Sequence, residues 1–174
     1  MVDKLIEKAL EGGARKAAAV PVESIVLHEV FLDYCKMNTC GQYGKCWTCP
    51  PDIGDIHTLM AELKTYKTAV VYQTVGELED SFDIEGMQRQ REEHNRLARQ
   101  LRSLAPDALH LAAGGCRVCK RCAKATDEPC RFPRQAMASL EAYGINVTEL
   151  AALSGMNYIN GKDTVTYFGA IFLK

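Results

Sequence analysis

The sequence predicts an α/β fold: a compact sandwich with a mixed sheet covered by helices and two cysteine-rich loops. Three observations carry this. Stretches of aliphatic and β-branched residues alternate with stretches of helical periodicity, in the order strand, helix, strand, helix, strand, helix, followed by a hairpin signal. The 174 residues are 47% hydrophobic, which permits a packed core and argues against disorder. All eight cysteines fall in two glycine- and proline-containing loops rather than on apolar stripes. The length fits one domain over 1–174, with residues 1–20 as an N-terminal helical extension.

Taken in order, Asp3 to Ala19 reads as a short polar helix carrying Leu5, Ile6 and Leu10, weakened by Gly12-Gly13. Val22 to Val30 reads as a strand on the strength of Ile25, Val26, Leu27 and Val30. Phe31 to Asp52 holds four cysteines and Pro50-Pro51 and reads as a loop held by something other than its backbone. Ile56 to Tyr66 is a helix with Ile56, Leu59, Met60 and Leu63 on one face. Thr68 to Thr74 is a strand, and Gly86 to Ser103 a helix that Pro106 stops. Ala108 to Ala113 is a strand ending at Gly114-Gly115, and Cys116 to Pro133 is the second cysteine loop. Pro133 is expected to open a helix through Tyr143 with Gly144 as its left-handed stop, and Ile145 to Val147 to form a short strand or turn. Asn160-Gly161 signals a hairpin between Met156–Ile159 and Thr164–Leu173. If the strands before the two cysteine loops are parallel neighbours, both loops emerge at one edge of the sheet, where open α/β folds place ligands.

The cysteines sort four and four: Cys35, Cys40, Cys46 and Cys49, then Cys116, Cys119, Cys122 and Cys130. Four thiolates are the ligand count of one tetrathiolate centre. The gaps of two residues at Cys116, Cys119 and Cys122 let consecutive sulfurs reach one centre while the backbone turns around it. Ferredoxins use this triple spacing to hold a [4Fe–4S] cluster, with a fourth cysteine and a proline following. Here the fourth follows later, at Cys130, with Pro133 beyond it. Structural zinc sites more often use two separated pairs. Two [4Fe–4S] clusters are the favoured cofactors, with zinc as the alternative; Cys46-Trp-Thr-Cys49 can also be read as a redox thiol pair. Two-cluster ferredoxins exchange their fourth cysteines, so the pairing of Cys49 and Cys130 with the centres stays open.

The formal net charge of −1 is unevenly laid out. Residues 1–87 carry 8 Lys and Arg against 14 Asp and Glu, residues 88–174 carry 13 against 8. Arg117, Lys120, Arg121, Lys124, Arg131 and Arg134 surround the second cysteine group, where some can offset the negative charge of a cluster or dock an acidic partner, and others simply solvate a loop. Trp47 is placed either to shield the first centre or to join the core, and Gly114-Gly115 either to let backbone approach the centre or to end a strand. His28, His57, His94 and His110 fit no zinc motif, and no phosphate loop or serine–histidine pattern is present. No basic tail suits nucleic acid, no apolar run reaches the roughly 18 residues of a membrane helix, and no secretory signal opens the chain. A cytoplasmic location, which keeps thiols reduced, is expected.

Several segments together resemble a family of uncharacterised predicted metal-binding proteins. They are Cys40 with Tyr43-Gly44, Trp47 and Cys49-Pro50-Pro51; Gly114-Gly115-Cys116, Cys119, Cys122 and Cys130-Arg131-Phe132-Pro133; Ser139 to Ile145; and Tyr167-Phe168-Gly169. The resemblance spans roughly residues 30–172. It implies metal or iron–sulfur binding and no particular activity. Met137-Ala138 stands where that family usually carries Arg-Pro, a departure that touches no cysteine.

Three functions follow as expectations. The first is electron transfer through two clusters, to or from a redox partner protein. A cluster-dependent enzyme with an open iron position is the second, and a zinc-stabilised interaction module the third. Four cysteines per centre favour transfer; three with an open corner favour catalysis.

Overall fold

The computed structural model describes residues 1–174. It shows an α/β fold around a five-stranded mixed sheet. The strands are β1 (Lys16–Pro21), β2 (Thr68–Glu77), β3 (Leu109–Ala112), β4 (Ala138–Ser139) and β5 (Thr164–Leu173), in the spatial order β1-β2-β5-β3-β4. Only β3 and β4 pair in parallel; the other neighbours are antiparallel. The helices are α1 (Val2–Glu11), α2 (Val30–Lys36), α3 (Ile56–Leu63), α4 (Ile84–Leu104) and α5 (Val147–Leu153). None is long and apolar enough to cross a membrane.

The central strands β2 and β5 pair along their whole length, from Thr68 opposite Leu173 to Glu77 opposite Thr164. Both are apolar on both faces, so each alternate residue serves a different core. Ala69 and Val71 of β2, with Phe168, Ala170 and Phe172 of β5, pack under Leu59, Leu63, Tyr143, Ile145 and Leu150, the cover supplied by α3, α5 and the turn between β4 and α5. Val70 and Tyr72, with Ile171, face the other way onto Leu5, Ala9, Leu97, Ala98 and Leu101 of α1 and α4. Along α4, Leu97, Ala98 and Leu101 recur at helical spacing, and Asp83 caps the first turn by accepting from the Gly86 N–H at 2.8 Å.

Several local expectations are corrected. Lys16–Pro21 is an edge strand, not the end of the first helix: the alanines that suit a helix pair instead with β2. Val22 to Val30 forms no strand; a 3₁₀ turn covers Val22–Ser24 and a single bridge joins Leu27 to Ile145. The first cysteine stretch is not all loop, since α2 carries Cys35. Pro133 opens no helix. The chain instead enters β4, and Gly144, at φ 79°, closes the one-turn 3₁₀ helix Glu141–Tyr143. Residues 156–159 pair with nothing in the sheet, so no terminal hairpin forms, and β5 inserts between β2 and β3. The second cysteine loop does leave a strand, β3, whereas the first follows α2, so the parallel-neighbour route to a shared edge does not apply.

Candidate metal centre

The two cysteine loops meet through side-chain contacts. Trp47 Nε1 donates to the Glu128 carbonyl at 2.9 Å, and the Cys116 N–H donates to Thr48 Oγ1 at 3.3 Å. Lys124 Nζ reaches Asp52 Oδ1 at 3.3 Å and Asp127 Oδ1 at 2.6 Å, and sits 4.8 Å from the centre of the Trp47 ring. Gly115 lies so near Cys49 that a Cβ built there would stand 3.2 Å from its sulfur. Left-handed backbone at Gly114, φ 70°, turns the chain from β3 into this contact.

All eight thiols are free. Cys46, Cys116, Cys119, Cys122 and Cys130 line one narrow cleft of about 20 Å³, walled by Trp47, Val118 and Phe132. Cys49 instead stands within electrostatic reach of Cys35 and Cys40. Cys35 and Cys40 in turn line a second, open cavity of about 560 Å³. Cys46 therefore sits with the second group, and Cys49 lies between the two sets. The neighbouring Cys49 thiol and Thr48 hold the Cys46 thiol down to about 5, while Cys46 and burial push Cys49 up. Burial also pushes up the thiols of Cys35 and Cys116.

No three His, Cys, Asp or Glu side chains stand close enough to close on a single ion. The donor set is nonetheless one that soft, thiophilic metals select, since five thiols line a cleft with no carboxylate among its walls. In chemistry the residues fit a thiolate-bound metal or cluster. In space five of them converge on one narrow cleft where the two loops meet.

The basic residues divide by role. Lys124 is held inward by two carboxylates, Arg131 pairs with Glu128 at 3.4 Å, and Arg134 offers its carbonyl to Arg102 Nε at 2.7 Å. Lys120 and Arg121 remain exposed beside Cys119 and Cys122 on a polar groove. The sequence reading missed Arg102, which α4 brings within electrostatic reach of Cys116, and Arg91, also on α4, which lines the open cavity. It also missed Glu141, half-buried near Cys35 and pushed up by desolvation. Of these only Glu141 had a local signal, within the Ser139–Ile145 segment. The histidines stay away from the thiols: His94 and His110 are buried, and His28 and His57 face Glu149 and Glu29.

Residues 18–173 match the family described as predicted metal-binding protein, DUF2284. The chain belongs to this family. No curated protein and no solved structure matches it. The match takes in both cysteine loops and the whole sheet apart from the first two residues of β1. It carries the general assignment of metal binding and leaves the identity of the metal to the chemistry of the site.

Proposed function

We propose that this DUF2284 chain is an iron–sulfur protein that holds two [4Fe–4S] clusters on Cys35, Cys40, Cys46, Cys49, Cys116, Cys119, Cys122 and Cys130 and exchanges electrons with a partner protein. The observation that supports the reading is the docking of the two cysteine loops, which brings Cys46 of the first into one cleft with Cys116, Cys119, Cys122 and Cys130 of the second. Bound clusters supply one-electron redox chemistry, at potentials set by charge, hydrogen bonds and solvent access. The chain contributes the surroundings. The Thr48 hydroxyl lies 3.3 Å from the Cys46 sulfur, Trp47 and Phe132 wall the cleft, and Arg102 places a positive charge near Cys116.

Lys120 and Arg121 give an acidic redox partner a landing place, whereas Lys124 is committed to Asp52 and Asp127. The test is stopped-flow oxidation of anaerobically reduced protein by an acidic flavodoxin at low and high salt. The expected result is a bimolecular rate that falls with salt. Lys120→Glu with Arg121→Glu should slow it about tenfold or more at low salt, with metal content unchanged. A protein that neither accepts nor returns electrons contradicts the reading.

A second reading is favoured by the uneven sorting of the thiols. Five line the cleft and three do not: Cys35 and Cys40 line the open cavity, and Cys49 stands within electrostatic reach of both. A centre with three thiolates leaves one iron position free, the arrangement expected of a cluster-dependent enzyme.

A further inference from the structure

We infer that the open cavity beside Cys35 and Cys40 is a binding site for a small aromatic carboxylate. Its volume of about 560 Å³ is that of a small-molecule pocket. Phe31 and Tyr34 of α2 form part of one wall, and Phe168 of β5 forms another. Tyr158 stacks on Phe168, ring centres 6.1 Å apart and 12° from parallel. This offers flat apolar surface of the kind an aromatic ring packs against. The fold leaves the α2 wall and Tyr158 open, with Phe168 backing them from the core: α2 buries none of its residues, Tyr34 is 59% exposed and Tyr158 49%.

The charge in the cavity points to an anion. Arg91 and Arg117 both line it, and the ion pairs of the fold use neither. Glu141 is the one carboxylate in the wall, and it lies against Ser139 and Cys35. Two guanidinium groups beside stacked aromatic rings suit a planar body ending in a carboxylate, which arginine binds through paired N–H donors. The inference rests on the metal-centre reading for one wall only, the one made by Cys35 and Cys40.

The test titrates anaerobically purified protein, its metal content measured in the same sample, with 2-naphthoate and with neutral 2-naphthamide by calorimetry. Naphthoate should bind saturably and about tenfold or more tightly than the amide, the discrimination one charge-assisted contact supplies. Arg117→Gln and, separately, Arg91→Gln should each weaken naphthoate about fivefold or more, leaving amide binding and metal content unchanged. The inference is overturned by absence of saturable naphthoate binding, by equal binding of acid and amide, or by full naphthoate affinity in both arginine variants. Arginine-dependent binding to protein without metal would uphold the cavity and sink the metal centre. Metal-loaded protein that ignores naphthoate would do the reverse.

Discussion

Trp47 ties the first cysteine loop to the second through one hydrogen bond to the Glu128 carbonyl and through the Lys124 ammonium over its ring. It belongs to neither core cluster. Trp47→Phe keeps an aromatic wall but leaves that carbonyl without its donor. The expected loss is about 1–2 kcal/mol of unfolding free energy, read by denaturant titration of anaerobic protein. His94 makes a different residue-scale prediction. It is fully buried against Tyr72, its Nδ1 bonded to Thr74 Oγ1 at 2.9 Å, and burial pushes its pKa down to about 4 from an ordinary 6.5. Between those values the unfolded chain takes up a proton that the folded one refuses, so stability falls as pH drops from 6.5 towards 4. The loss is about 3 kcal/mol for this group. His110, also pushed down to about 4 by burial, titrates in the same window. His94→Gln should therefore flatten the acid limb of a stability–pH curve without abolishing it; an unchanged slope would contradict the assignment.

At the scale of elements, α3, β2, α4 and β3 were legible because each carries its own period or run of strand formers. The misread segments are those whose conformation is set by a partner. Lys16–Pro21 has helix-friendly alanines, yet it extends because Ala17, Ala18 and Ala19 pair opposite Tyr72, Val71 and Val70. Ile25 to Leu27 has strand formers but finds only one bridge, to Ile145. Helix α5 was missed although Asn146 caps it by accepting from the Thr148 and Glu149 N–H groups. The terminal hairpin fails because the tight pairing of β5 is with distant β2. Gly169 shows how close that pairing is: it faces Tyr72, and an added Cβ would stand 2.3 Å from the Tyr72 ring. Gly169→Ala must displace a buried tyrosine and should cost about 1–3 kcal/mol of stability, measured by thermal or denaturant melts. A neutral result would contradict the β2–β5 packing.

For the whole molecule, the placing of the eight cysteines in two loops was legible because spacing is a local property of each loop. The place of Cys46 with the second group was not, because Cys46 joins the second loop only through docking at Trp47, Thr48 and Lys124, contacts that span some 70–80 residues. Nor could the sequence show which charges serve the site: Arg91 and Arg102 look like any others on a charged helix until α4 packs across the sheet. The fold thus brings two separately written loops onto one patch, where a basic groove and an open cavity adjoin at Gln42 and Arg117. The central claim is that this patch holds two iron–sulfur clusters, and anaerobic purification followed by iron, zinc and acid-labile sulfide analysis tests it most directly. The account predicts brown protein with about eight iron and eight sulfide per chain, the content of two cubanes. Colourless protein carrying about two zinc ions, from cells supplied with iron and kept free of oxygen, would contradict it.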